Sequence, residues 1–371
     1  MGNWKNGELG DFVTLKRGFD LPQQKREDGQ VPIFSSSGIT GTHSTAMVKA
    51  PGVITGRYGT IGEVFYAAKD FWPLNTTLFV EDFHGNDAKF IYYFLKTLEW
   101  SKFTSASAVP GINRNTVHKE IVSLPDIETQ RRIASTLSMF DEKIKINTEI
   151  NDNLEQQAQS YFQELFVDNA NPEWTTGTIS DLGAVVGGST PSKAKPEYYT
   201  ESGIAWITPK DLSINKSKFV SHGENDITEL GLKNSSAAIM PEGTVLFSSR
   251  APIGYIAIAA GEVTTNQGFK SVVPKPEIGT PFVYFFLKNT LPVIEGMASG
   301  STFKEVSGST MKNVPAVIPD AETLAKFGDF CAPIFAQQRI LEEQNQSLAT
   351  LRDNLLPKLM SGEIDVSAVQ L

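Results

Sequence analysis

Polar and apolar positions along the chain fall into two regimes, and each regime occurs twice. The first is rich in Gly, Pro, Ser and Thr, with short apolar runs such as Gly52-Val53-Ile54-Thr55 and Gly243-Thr244-Val245-Leu246-Phe247. Runs of this kind between turn residues predict short buried strands. One apolar helix around Tyr92, and another around Tyr284, interrupts each strand-rich stretch. The second regime has few glycines and a helical period. From Ile133 the spacing alternates between four and three: Ile133, Leu137, Phe140, Ile144, Asn147, Asn151, Leu154, Ala158, Tyr161 and Leu165. This is a coiled-coil seam with two asparagines near its middle, roughly 50 Å long at ~1.5 Å per residue. The second copy reads Phe327, Cys331, Ile334, Gln338, Leu341, Asn345, Leu348, Arg352, Leu355 and Leu359. Pro333 is expected to kink or divide it, and Ser361-Gly362 to stop it. Asp126 and Asp320, each followed by an acidic first turn (Glu128, Glu322), predict helix N-caps.

The two copies are an internal repeat. Trp4-Lys5-Asn6-Gly7 is answered by Trp174-Thr175-Thr176-Gly177, an offset of 170. Arg57-Tyr58-Gly59-Thr60-Ile61-Gly62 meets Arg250-Ala251-Pro252-Ile253-Gly254 at an offset of 192 or 193. Pro125-Asp126-Ile127-Glu128-Thr129 meets Pro319-Asp320-Ala321-Glu322-Thr323 at 194. One ancestral unit was duplicated, and its interior drifted and absorbed insertions. The expected layout is a first domain over 1–125, a helix over 126–168, a second domain over 169–319 and a second helix over 320–371. The expected fold class is α+β: two repeated α/β domains joined by two long antiparallel coiled-coil helices related by a pseudo-twofold. The plainer alternative is two unrelated surface helices, each packed on its own domain.

Composition narrows the function. Of 371 residues, 40% are apolar and 20% charged, as in a globular protein of two or three domains. The longest apolar stretch, Phe282 to Leu291, is interrupted by Lys288 and followed by Pro292, so no membrane span is expected. The N-terminus is polar, without a secretion signal, and the expected location is the cytoplasm. A single cysteine, Cys331, excludes an internal disulfide or a cysteine zinc cluster. The net charge of −9 argues at first against nucleic acid. Its distribution reverses that argument. Residues 126–168 hold nine acids and four bases, and 320–371 eight acids and four bases, so the helices carry the whole excess. The two domains together are neutral and can each carry a basic face.

The helical residues then resemble a known family. Pro125-Asp126-Ile127-Glu128-Thr129-Gln130-Arg131-Arg132-Ile133-Ala134 with Asp141-Glu142-Lys143-Ile144 is similar to the central conserved region of type I restriction-modification specificity subunits. The stretch from Leu351 through Pro357-Lys358-Leu359-Met360-Ser361-Gly362 to Ile364 resembles their C-terminal region. Gly187-Gly188-Ser189-Thr190-Pro191-Ser192-Lys193 with Ile204-Ala205-Trp206-Ile207-Thr208-Pro209-Lys210-Asp211-Leu212 resembles the start of one type of target-recognition domain. The resemblance implies that each domain reads half of a split double-stranded DNA target, while the helices set the spacing. It implies adenine methyltransferase subunits, using S-adenosylmethionine, docked on the helices. It implies restriction-translocase subunits using ATP and magnesium, with no cofactor or metal in this chain. Two dissimilar domains imply an asymmetric bipartite target. One departure is Leu324, where the first copy has Gln130, so partner contacts transfer less securely to the second helix.

Catalytic signatures are missing. Asn171-Pro172-Glu173-Trp174 approaches an adenine-methyltransferase motif, but Glu173 stands where the second proline belongs and a linker reading is better. Gly56, Gly59 and Gly62 lack the strand-to-helix setting of a dinucleotide fingerprint, and no phosphate-binding loop motif occurs. His43, His84, His118 and His222 lack metal-ligand spacing. Candidate DNA contacts are Arg57 and Arg250, on glycine-flanked loops, since arginine can bond guanine O6 and N7 together. The bland reading of each is an arginine tied to a carboxylate. Asn75 and Asn266 are adenine candidates, or ordinary turn asparagines. Lys16, Arg17, Lys25, Arg26, Arg114 and Lys119, with Lys193, Lys195, Lys210, Lys304 and Lys312, are phosphate candidates as a set. The competing function is a duplicated coiled-coil scaffold that recruits partners without reading DNA; a stand-alone enzyme is disfavoured.

Overall fold

The computed structural model describes residues 4–104, 111–300 and 304–366; the first three residues of the polar N-terminus lie outside it. The chain forms two compact units, one of residues 1–144 with 346–371, the other of 145–345. Each unit takes a domain together with a part of both long helices.

In the first unit a two-stranded ribbon, Lys5–Glu8 against Ile121–Leu124, closes the domain on itself. A four-stranded sheet runs in the order Thr14–Arg17, Thr77–Asp82, Gly52–Gly56, Val64–Ala67. A three-stranded sheet (Gly38–His43, Val31–Ser35, Trp72–Pro73) stands beside it in the same domain. The apolar run Gly52–Gly56 is buried throughout, as a central strand must be. Helix Ala88–Lys96, capped by Asp87, buries Phe90, Ile91, Tyr93, Phe94 and Leu95. The second unit repeats the plan: ribbon Thr175–Thr178 with Pro315–Ile318, and a sheet ordered Gly183–Gly187, Lys270–Pro274, Val245–Ser249, Ile253–Ala259. A fifth strand, Phe219–Val220, is added at its edge within the segment that lengthens this repeat.

The seam periodicity is realised as one helix over Ile127–Gln163, 37 residues long, followed by a π-turn over Glu164–Asp168. At ~1.5 Å per residue the helix is about 55 Å long. The second helix spans Ala321–Met360 without interruption. Pro333 therefore does not divide it. The proline points to solvent, while Cys331, Ile334 and Phe335 beside it are buried, and that burial outweighs a cost of about 3 kcal/mol for the lost hydrogen bond. Helix Thr280–Gly296 likewise continues through Pro292. No helix among the described residues is long and apolar enough to cross a membrane. Both caps form: Asp126 accepts the Thr129 N–H at 2.9 Å, and Asp320 that of Thr323 at 2.8 Å.

Every seam residue faces inward. Ile133, Leu137, Phe140, Asn147, Leu341 and Leu359 are buried, while Ile144, Asn151, Leu154, Tyr161, Leu165, Asn345, Leu348 and Leu355 are half-buried. In the first unit Arg352 of the second helix meets Asp141 of the first at 2.5 Å. In the second unit Asn147 Nδ2 donates to Asn345 Oδ1 at 2.9 Å, and Gln338 Nε2 to the Asn151 carbonyl at 3.2 Å. Residue numbers rise along one helix as they fall along the other, so the pairing is antiparallel. The mid-seam polar residues bond to each other, as expected of groups that set register. Gln130 is spent inside the first unit. Its amide donates to Asn86 (2.7 Å) and the Pro125 carbonyl (2.9 Å), and accepts from the Asp87 N–H (3.0 Å).

The second unit holds a buried polar knot that the periodicity could not show. Lys218, just before the added strand, donates to Glu155 at 2.7 Å and Gln338 at 2.8 Å, with its ammonium 3.5 Å from the Phe335 ring centroid. Glu155 also accepts from Lys288 at 2.5 Å and Tyr284 at 3.1 Å. The Glu342 carboxylate takes the N–H groups of Lys218 and Phe219 at 2.7 and 3.0 Å. Burial, only partly offset by Glu155, draws the Lys218 ammonium down to about 8. Burial opposes the charge of Glu155 too, but Lys218 and Lys288 more than offset it and hold its carboxyl below the usual range.

Breaking a buried pair from one side strands the other charge, so Glu155→Gln is expected to destabilise the protein by about 3 kcal/mol in chemical unfolding. The double change Glu155→Leu/Lys218→Met is expected to recover most of that loss. Below pH 8 both folded and unfolded Lys218 hold the proton, and the folded state bears the full burial cost. Between about 8 and about 10.4 only the unfolded lysine keeps it, so stability relative to Lys218→Met rises with pH, by at most about 1.4 kcal/mol per unit. Unfolding curves at pH 7, 8.5 and 10 check the sign.

Candidate nucleic-acid interface

Each unit has a polar cleft at the same point of the repeat. In the first, a cleft of about 740 Å³ is lined by Lys16 and Arg17 of strand Thr14–Arg17, by Arg57 and Tyr58, and by Gly111 through Asn115. The loop after Gly52–Gly56 is held by its backbone: the Arg57 N–H donates to Thr76 at 2.8 Å and its carbonyl accepts from Ile112 at 3.0 Å. Gly59 and Gly62, at φ of 77° and 92°, turn the chain back where other residues would be strained. The Arg57 guanidinium lies 4.4 Å from the centroid of the Tyr58 ring, a cation–π contact that orients it while leaving its N–H edge available. Among the described residues it pairs with no carboxylate. Arg114 approaches from helix Arg114–His118, its Nη1 3.5 Å from the Leu15 carbonyl. Lys16 pairs with Glu81 at 2.5 Å, and Arg17 lies 4.0 Å from Asp20. Asn75 is bonded to Asp20, so it braces the cleft wall.

The second cleft, about 460 Å³, gathers Lys193, Lys210, Arg250 and Asn266, with Trp206 and Gln267 between them. Thr208 caps helix Pro209–Ile214 and Asp211 returns the bond to the Thr208 N–H at 2.7 Å, which fixes where Lys210 projects. Lys210 pairs with Glu224 at 2.6 Å. The Asn266 side-chain oxygen accepts the Gly268 N–H at 2.8 Å, so its acceptor is occupied within the loop. Arg250 meets Glu305 at 3.5 Å, and Lys270 meets the same carboxylate at 3.8 Å. For Arg250 the carboxylate-tied reading is the observed one; for Arg57 it is not.

Eight of the sequence candidates thus converge in two clefts: Lys16, Arg17, Arg57 and Arg114 in one, Lys193, Lys210, Arg250 and Asn266 in the other. Lys25, Lys119, Lys304 and Lys312 are exposed elsewhere, Lys195 pairs with Glu197 at 3.6 Å, and Arg26 is half-buried near the Thr40 carbonyl. Tyr58, Asn113, Asn115, Trp206 and Gln267 also line the clefts and were missed. Tyr58, inside the glycine-flanked run, and Trp206, inside the Ile204 to Leu212 motif, carried a signal. The histidines are engaged singly: His43 Nδ1 accepts the Glu27 N–H, His118 Nε2 that of Leu15, His84 bonds Thr14, and His222 lies near Asp226. Burial, followed by the nearby Arg114 charge, lowers the His118 pKa. Among the described residues no group of three or more His, Cys, Asp or Glu is placed to hold a metal. Asn171-Pro172-Glu173-Trp174 is a turn, with Asn171 accepting the Glu173 N–H and Trp174 Nε1 donating to Asp320 at 2.8 Å.

Comparison with known proteins agrees with this arrangement. The model of the type I restriction modification DNA specificity domain matches residues 1–156 and again 171–351. The MjaIX specificity subunit of Methanocaldococcus jannaschii is 39% identical over 194 residues, which is 50% of this chain and 45% of that protein. The HindI specificity subunit of Haemophilus influenzae is 24% identical over 347 residues, 72% of this chain and 75% of that protein. The chain therefore matches less than half the length of the MjaIX subunit. The crystal structure of a type I S subunit from M. genitalium shares the fold, with a TM-score of 0.65 at 19% identity over 97% of this chain and 96% of that one. A twice-repeated match across most of the chain, with a cleft at equivalent points of the two repeats, establishes that the protein belongs to the type I restriction-modification DNA specificity family.

Proposed function

We propose that the chain is the DNA-reading subunit of a type I restriction-modification complex in the cytoplasm. Each unit reads one half of an asymmetric bipartite target in double-stranded DNA. The observation that carries this reading is the pair of equivalent loops, each bringing an arginine into a cleft beside further cations, Lys16, Arg17 and Arg114 in one and Lys193 and Lys210 in the other. Guanidinium and amide groups in a concave wall suit base edges, and the lysines around them suit phosphates. The unlike linings of the two clefts favour unlike half-targets, in contrast to the palindromes of symmetric dimers.

The chain supplies no chemistry of its own in this reading. The acidic outer faces of the long helices dock adenine methyltransferase subunits, which bring S-adenosylmethionine. Restriction-translocase subunits bring ATP and magnesium. The competing scaffold function predicts no sequence selection at all, so the same experiments separate the two.

Exchanging residues 1–125 for the matching domain of a relative is expected to change one half of the methylated motif and leave the other intact. Methylome sequencing reads this directly, and a change in both halves contradicts independent reading. Arg57→Lys keeps the charge but loses the two-pronged donor. It is expected to weaken selection about tenfold or more at one position of one half-target, with little change in non-specific binding at low salt.

The spacing role gives a third expectation. Because the helices pair, seven residues are inserted in both, next to Asn151 and opposite it. That adds about 10 Å of helix, or roughly three base pairs of B-DNA. Both half-targets should persist with a longer gap; an unchanged gap in an active complex excludes the helices as the ruler.

A further inference from the structure

The two arginine loops differ in what faces the guanidinium. A short backbone bridge supports each loop, Tyr58 to Gly111 in the first unit and Arg250 to Glu305 in the second. Gly111 and Glu305 are 194 positions apart, the offset of the surrounding repeat. In the first unit the Tyr58 ring lies over the position where a Cβ on residue 111 would project, so only glycine fits. Arg57 is thereby backed by an aromatic ring. In the second unit Arg250 itself takes the bridged place of Tyr58, with Ser249 where Arg57 stands and Ala251 at the positive-φ place of Gly59, and the Glu305 carboxylate stands beside Arg250 at 3.5 Å. Lys270, largely buried at 16% exposure, holds the same carboxylate at 3.8 Å, while Glu305 itself keeps 39% of its side chain exposed. The carboxylate thus has two cationic partners, stays partly exposed, and adjoins the cleft through Arg250, which lines it.

We infer that Glu305 is a specificity-determining residue of the second unit, and that with Arg250 it reads a base pair presenting an amino donor beside an acceptor. The inference rests on the function proposed above. Arg57 offers donors only, which suits the two adjacent acceptors of guanine, O6 and N7. The Arg250–Glu305 couple offers donors on one side and an acceptor-only group on the other. That combination suits adenine, with N7 beside its N6 amino group, or a C·G pair, with the cytosine N4 amino group beside guanine O6. It also disfavours thymine, whose O4 would face the carboxylate without a proton between them. One bridge, Tyr58 with Gly111 in one repeat and Arg250 with Glu305 in the other, thus separates a guanine reader from an amino-group reader.

The test is selection of random-sequence duplexes by the complete complex of this chain with its methyltransferase subunits, using the wild type, Glu305→Ala and Glu305→Gln. A wild-type complex that selects no bipartite motif removes the proposed function itself, whatever Glu305 does. Given a motif, Glu305→Ala is expected to shift one position of one half-target toward guanine by about tenfold or more. Glu305→Gln, which keeps one acceptor and adds a donor, should relax the same position. The other half-target should stay as it was. An unchanged motif in both variants, or a change in both halves, overturns the inference. Should either variant melt well below the wild type, Asn266→Ala at unaltered Glu305 decides the matter. Its complex is titrated with duplexes lacking the exocyclic amino group at successive positions of that half. One position is expected to bind about tenfold more weakly, and the absence of any such position overturns the assignment of Glu305.

Discussion

A helix that is apolar along one stripe must bury that stripe, and here neither long helix can do so on its own domain alone. The core of the first unit is closed by Ile133 and Leu137 from one helix and by Leu356, Leu359 and Met360 from the other. The core of the second takes Ala158 and Phe162 from the first helix and Phe327, Cys331, Ile334 and Phe335 from the second. Each domain is therefore completed by the helix that follows it and by the far part of its counterpart. The antiparallel seam is a condition of folding. The asparagines at mid-seam, bonded to one another, make register the property that the seam specifies best.

A scaffold of this kind leaves the faces of the domains free to change. The ribbons, the central strands and the aromatic helix are the same in both units, while the clefts are lined by different residues. The charge pattern follows the same division. The acidic excess lies on the helices and each cleft holds several cations of its neutral domain, so a net charge of −9 is compatible with two surfaces suited to DNA. The buried Lys218–Glu155 pair shows how an insertion in one domain is anchored. The added strand is tied to both helices by charge and backbone bonds at once.

Much of this was legible in the sequence because it is local or periodic. The seam, both aspartate caps and the duplicated order of motifs need only spacing, and the structure keeps all three. Pro333 misled because its local cost is set against tertiary burial of Cys331, Ile334 and Phe335, which no window of sequence displays. The candidate cations were legible as a set and not one by one. Whether Lys195 or Lys210 is paired, or Arg57 stacked, depends on a partner's side-chain geometry. Glu305 was invisible for the same reason. Its significance comes from a bridge between segments about 55 residues apart, and from the space that Tyr58 occupies in the other repeat.

The central claim, that two separate clefts each read half of one target, is tested most directly by a hydroxyl-radical footprint at nucleotide resolution on the selected duplex. The complete methyltransferase complex, with this chain as its specificity subunit, is bound to the intact target and to targets with one half scrambled. The account predicts that the bases contacted in each half respond separately, so that scrambling one half abolishes its own pattern of protection while the register of the other is retained. A single continuous pattern that vanishes as a whole, or protection indifferent to both halves, would contradict it.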